Sequence, residues 1–427
     1  MSSKEKPTHI ALFGVFGAGN LGNECTLEAM LYNIRRYLPA ADVTCICTGP
    51  EETSAKCGIR AYGIRELRLP HSSNRVLGLL LKIFSVIPVE ISRWIKVLRK
   101  LKHMDMLMMT GTGMLSDFGI SPFGLHYDIL RWSVAARIRG CKLLFVSVGV
   151  GPIRHPLSRL FVQTALRLAN YRSYRDEFSK RYLETIGSRS NEDVVSPDLA
   201  FSLPRSVITD ARERGVGMTV VGVGIITYFG KNAASGAGET IYRDYVAKMD
   251  LFVRWLLDHD YGVRLLIGDV TYDRRVREDL RNLLARNGVN YSKDKIADEP
   301  AESVGELLRQ LAETDLVVAS RFHNVLLSLM LGKPVIAISF HEKVDSLMTA
   351  MGVEEFRQSI ETVDLNRLIE QFITLEQNAQ SLKRRVQRKA EACRKTLDEQ
   401  YSRIFQCLPS EVGTVLTDDA MTEVRFS

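Results

Sequence analysis

The sequence predicts an α/β protein of two Rossmann-like domains, each with a parallel sheet, followed by a long C-terminal helix. Three observations carry this. The 427 residues exceed one ordinary core, since domains cluster at roughly 100–200 residues. Short apolar runs alternate with helical segments, and in the first half each run leads into a glycine. The alternation then starts afresh beyond Pro197 and Pro204, which sets a boundary near residue 205.

In order, 9–13 is the first strand, 14–23 a glycine-rich turn and 24–37 a helix, which together make a βα unit. Strands follow at 42–47 and 105–109, the latter closed by Thr110-Gly111-Thr112-Gly113. A helix at 127–138 precedes a strand at 142–148 that ends in Gly149-Val150-Gly151-Pro152. The second half gives strands at 218–224, 264–267, 316–319 and 335–339, with helices at 242–259, 273–287, 303–313 and 321–331. Residues 376–405 form one long basic amphipathic helix. The expected units are 1–205, 206–365, a helical segment 366–408 and a polar tail 409–427.

Hydrophobic content of 45% and charged content of 25% belong to a globular chain and exclude a disordered or fibrous one. The formal charge of +7 favours anionic partners. Zinc-finger spacing and RNA-binding signatures are missing, so small anions and membrane surfaces rank above nucleic acid. Seven cysteines, an odd number without CxxC spacing, fit a reducing cytoplasm. The first apolar run leads straight into a glycine turn, unlike a signal peptide, and the expected location is cytoplasmic. The apolar stretch 76–98 is interrupted by Lys82, Pro88, Glu90, Arg93 and Lys96, which excludes a spanning helix. Segment 75–102, with seven basic residues and one acid around an apolar stripe, is either a helix packed on its domain or an interfacial one. The second reading adds peripheral contact at the inner face of the membrane.

Gly17-Ala18-Gly19-Asn20-Leu21-Gly22 matches a dinucleotide-binding turn, but the acidic residue expected at the end of the second strand is missing. Asn20 and Asn23 instead place amides near a helix start, where hydroxyls or phosphates are recognised. Asp117 follows the third strand and suits orienting a sugar hydroxyl, or capping a turn. Arg175-Asp176 at a strand end suits an anion, or a plain salt bridge. The strongest constellation is Ser320-Arg321-Phe322-His323, where a strand passes into a helix. Helix-start amides, the dipole and a guanidinium fork all favour an anion there, and His323 adds a proton carrier. His341 and Lys343 lie at the end of the next strand and face the same crevice.

These residues resemble the polysaccharide pyruvyl transferase family. The similarity rests on Gly19-Asn20-Leu21-Gly22-Asn23-Glu24, the turn ending in Asp117, Arg175-Asp176 with Ser179, Pro197-Asp198, Ser320-Arg321-Phe322-His323 with Gly332-Lys333-Pro334, and Lys343. The turn before Asp117 departs from the run of glycines common in the family. The resemblance implies a GT-B-like fold and transfer of pyruvate from phosphoenolpyruvate onto sugar hydroxyls, with no tightly bound cofactor or metal. It implies His323 and Asp117 as catalytic residues, and Arg321, His323, Arg175, Ser320 and Lys343 around phosphoenolpyruvate. Asn20, Asn23 and Asp117 are expected on the acceptor side, which is domain 1–205, and domain 206–365 on the phosphoenolpyruvate side. The acceptor is a polysaccharide or lipid-linked sugar. The alternatives are a glycosyltransferase using a nucleotide sugar and a non-catalytic glycan- or anion-binding protein.

Overall fold

Strand order decides where a ligand can sit in this protein. The computed structural model describes residues 7–66, 75–116, 121–206, 217–230, 237–291 and 295–406, so Asp117 and the tail 409–427 lie outside the described residues. The N-terminal sheet contains β1 (His9–Phe13), β2 (Asp42–Cys47), β3 (Arg60–Gly63), β4 (Met106–Thr110), β5 (Lys142–Val148), β6 (Tyr171–Tyr174) and β7 (Val194–Val195). They pair in parallel in the order β3-β2-β1-β4-β5-β6-β7. The second sheet has β8 (Val220–Gly224), β9 (Gly262–Leu266), β10 (Ile296–Ala297), β11 (Leu316–Ala319), β12 (Val335–Ser339) and β13 (Arg357–Ser359), also parallel, in the order β10-β9-β8-β11-β12-β13.

In each sheet the winding reverses once, between β1 and β4 and between β8 and β11. Chains leaving the two sides of such a switch point diverge and open a crevice at the carboxyl ends. The helix after β1 (α1, Leu21–Tyr37) and the helix after β11 (Phe322–Met330) therefore both start at this crevice. The fully buried residues of β1, β4, β8, β11 and β12 explain their continuous apolar sequences, because parallel strands are covered on both faces.

One apolar cluster runs through both domains, joining Ile10 and Leu27 to Val318 and Leu326 and on to Tyr401 and Phe405 of the last helix. A second covers the other face of the N-terminal sheet around Phe13 and Trp132. The last helix (Ala379–Gln406) is thus a strap rather than an appendage. Its Tyr401 hydroxyl lies 3.1 Å from that of Ser202, and Gln400 Nε2 donates to Ser147 Oγ at 3.1 Å. Ser147 has φ 48, a left-handed conformation in the bulged end of β5, and the strap holds it there.

The structure differs from expectation in three respects. The C-terminal helix is not continuous from 376, because Leu365–Gln377 ends at Asn378 and a new helix begins at Ala379. The first helix begins at Leu21 rather than 24, because the Asn20 side chain caps it. The short β3, β7, β10 and β13, of two to four residues, escaped notice because so few residues carry no period. Among the described residues no helix is long and apolar enough to cross a membrane.

Candidate functional site

The start of α1 is held by its own side chains. Asn20 Oδ1 accepts from Gly22 N at 3.1 Å and Asn23 N at 3.2 Å, and its amide donates to Asp269 Oδ2 at 3.3 Å. Asn23 Nδ2 donates to Val15 O at 2.8 Å, and the buried Glu24 carboxylate accepts from Gly17 N at 2.8 Å. The backbone then crosses to the other domain, with Leu21 N donating to Gly268 O at 3.1 Å and Val270 N to Gly19 O at 3.0 Å. A Cβ on Gly19, whose φ is 79, would lie 3.1 Å from Thr271 Oγ1, so the other domain occupies the approach a pyrophosphate would need. The asparagine amides expected on the acceptor side are engaged by protein, Asn20 across the seam between the domains and Asn23 within its own domain.

Gly22 serves that seam differently. A Cβ there would lie 1.9 Å from Nδ1 of His323, so the imidazole rests directly on the glycine backbone. The N-terminal glycine turn is the seat of the histidine.

The opposing helix start is built on buried acids. Asp273, fully buried, accepts from Arg321 Nε at 2.8 Å and Nη2 at 2.6 Å, and also from the backbone of Thr227 at 3.2 Å and Asp269 at 3.1 Å. This bidentate pair fixes Arg321 and neutralises it, leaving Nη1 as the guanidinium nitrogen for a ligand. Ser320 is fully buried, with its hydroxyl 2.8 Å from that of Tyr245.

His323 has the opposite surroundings. Its Nε2 has no hydrogen-bond partner and lies 3.9 Å from Asp198 Oδ2, which is also without one. Burial, then Arg175, Lys343 and Arg321, hold its pKa well below the usual imidazole value, so the ring is neutral. Burial raises the Asp198 carboxyl, with Arg175 opposing. Arg175 lies 3.5 Å from Asp198 and 3.3 Å from Asp176, with its guanidinium carbon 4.7 Å from the centre of the Phe322 ring. It reaches this place across Gly149, where a Cβ would lie 2.5 Å from that carbon. Lys343 Nζ lies 5.6 Å from the Phe322 ring centre, and burial, Arg175 and Arg321 lower its pKa to about 7.

A crevice of about 750 Å³ opens on Arg175, Asp198, Phe322 and Lys343. The fold thus gathers Arg175 from β6, His323 and Arg321 from the β11 helix start, and Lys343 from the helix start after β12. It leaves Ser320 behind the cluster. Asp198 and Asp273 were not among the residues predicted from sequence to form the site. Pro197-Asp198 was visible only as a short motif, and Asp273 looks like any acid at a helix start.

A family model described as polysaccharide pyruvyl transferase matches residues 20–342. No curated protein matches the chain in sequence. Among solved structures, UDP-GlcNAc 2-epimerase from Neisseria meningitidis bound to UDP-GlcNAc is similar, with a TM-score of 0.57 and 11% identity over 92% of this chain and 100% of that one. UDP-GlcNAc 2-epimerase from Methanocaldococcus jannaschii is similar with a TM-score of 0.54 and 10% identity over 86% and 92%. At these identities the likeness shows the two-domain, GT-B-like fold.

Proposed function

Because the chain belongs to the polysaccharide pyruvyl transferase family, and is therefore a transferase, we propose that it transfers a pyruvyl group from phosphoenolpyruvate to a sugar, forming a ketal. The observation that carries this reading is a buried histidine with a free Nε2, seated among Arg175, Lys343 and Arg321. Phosphoenolpyruvate brings a carboxylate and a phosphate. Arg175, Lys343 and Nη1 of Arg321 match both, and such fixed donors are worth on the order of 3 kcal/mol each in a dry site. The bound anion offsets the cations that keep His323 neutral, so its pKa rises and it can carry a proton.

In the proposed reaction His323 gives a proton to C3 of the enol while one sugar oxygen bonds to C2 and its proton passes to Asp198. A neighbouring hydroxyl then bonds to C2, the bond from C2 to the phosphate oxygen breaks, and inorganic phosphate leaves with the last proton. Asp117, expected from the sequence as a proton carrier, is tested beside Asp198 by Asp117→Asn and Asp198→Asn.

The measurement is phosphate release from phosphoenolpyruvate against a panel of acceptor glycans, with a pyruvyl mass gain on the product. Release of a nucleoside diphosphate from a nucleotide sugar, with phosphoenolpyruvate inert, would establish a glycosyltransferase instead. Ligand stabilisation without any product would establish a glycan- or anion-binding protein.

We also propose that helix Arg75–Lys100 meets an anionic lipid surface, which places the reaction beside a lipid-linked acceptor at the inner face of the membrane. Its exposed face steps by four through Ile87 (68% exposed), Ile91 (55%) and Ile95 (43%) to the exposed Arg99, with Lys102 beyond. Flotation with anionic vesicles that is lost in Ile91→Glu supports this; no flotation of the wild type removes it and leaves the chemistry standing.

A further inference from the structure

The asparagine amides expected to hold the acceptor are already bonded to Asp269 and Val15, which raises the question of where a sugar would lie. A second crevice, of about 380 Å³, opens at the carboxyl ends of β12 and β13. That is within the size of small-molecule sites, roughly 300–1,000 Å³. It shares Glu342 and Asp345, the first turn of helix Glu342–Met351, with the crevice that holds Lys343. Phe340 joins the two. Its ring centre is 5.2 Å from Lys343 Nζ on one side and 5.9 Å from that of Tyr228 on the other.

Charge separates the two crevices. In the second one Arg357 and Arg367 face three carboxylates, Glu342, Asp345 and Glu361, and Arg357 is already 3.3 Å from Asp345. A phosphate or diphosphate would meet a net negative wall there. A neutral polyol would find carboxylate acceptors beside two aromatic faces, the combination that recognises a sugar ring through hydroxyl hydrogen bonds and ring stacking. Tyr228 is held for this by donating its hydroxyl to Glu361 Oε1 at 2.6 Å.

We propose that the crevice formed by Tyr228, Phe340, Arg357 and Glu361 is the neutral-sugar subsite for the acceptor, which then reaches the cationic crevice past the helix turn of Glu342 and Asp345. This rests on the pyruvyl transfer reading for the word acceptor, but not for the binding of sugar. Steady-state phosphate release by the full chain separates the two crevices. Tyr228→Ala and Glu361→Gln should each raise the acceptor KM tenfold or more, leaving the phosphoenolpyruvate KM and the thermal shift it produces unchanged. An unchanged acceptor KM in both variants overturns the subsite.

Direct binding decides the matter even where no phosphate is released. Saturation-transfer NMR with methyl glycosides of glucose, galactose and mannose should detect binding to the wild type that Tyr228→Ala abolishes. Equal signals in both proteins, no signal in the wild type, or displacement of the sugars by a nucleoside diphosphate would each overturn it. A positive sugar signal without phosphate release would keep the subsite and reject the donor.

Discussion

Two helix starts face each other across the interdomain crevice, and they use similar sequence signals for opposite purposes. At the start of α1 each asparagine amide and the Glu24 carboxylate finds a partner within the protein, and the glycines admit the neighbouring domain. At the start of helix Phe322–Met330 the Nε2 of His323 is left without one. The cost of a buried, unpaired polar atom is accepted where a ligand is to satisfy it. Glycines and amides at a helix start therefore do not by themselves mark a binding site. What distinguishes the second start is that its unpartnered Nε2 lies among Arg175, Lys343 and Arg321.

The contrast is broken most directly at the histidine. Substitution His323→Ala should lower phosphate release from phosphoenolpyruvate at least 100-fold with little change in Tm, since it removes a proton carrier and no internal hydrogen bond. Activity near that of the wild type would reduce His323 to a packing residue like its counterpart.

Next comes the acid behind Arg321. Asp273→Ala takes the fully buried carboxylate from Arg321 and leaves the backbone N–H groups of Thr227 and Asp269 without their acceptor, and should cost about 3–5 kcal/mol of stability in urea unfolding. A cost below ~1 kcal/mol would mean that Arg321 is held by something else.

Gly22→Ala sharpens the comparison from the other side. Alanine favours a helix by about 1 kcal/mol, so the fold should survive. Its Cβ would displace the His323 ring, so turnover should fall tenfold or more while phosphoenolpyruvate still stabilises the protein. Unchanged turnover would detach the N-terminal turn from the chemistry.

The smallest effect is the pH response of Lys343. Its pKa is lowered to about 7 from 10.5, so the burial cost of the charged ammonium is present below about 7 and relieved as pH rises toward 10.5. An anion binds the charged form. Affinity for phosphoenolpyruvate should therefore be fully developed below pH 7 and weaken above it, by at most tenfold per unit, relative to a Lys343→Met baseline titrated the same way. Parallel profiles for the two proteins would remove Lys343 from the site.

Much of the fold was legible in the residues. The strands 9–13, 142–148, 316–319 and 335–339 coincide with β1, β5, β11 and β12, because short, almost wholly apolar runs between helical segments have few alternatives to a strand covered on both faces of a parallel sheet. The cluster at Arg321 and His323 was legible too, since a strand, a helix start, a guanidinium and an imidazole lie within a few positions. Asp198 and Asp273 were not, as their meaning depends on partners such as Arg175, His323 and Arg321 brought in by folding.

The sequence by itself determined two parallel-sheet domains and an anion-seeking helix start, because periodicity, glycine turns and the helix dipole act over short stretches of chain. Only the tertiary structure decided which polar groups at the crevice were already satisfied. Hydrogen bonding is exclusive, and whether Asn20 and Arg321 retain capacity for a ligand depends on Asp269 and Asp273, far along the chain and adjacent only once both switch points meet.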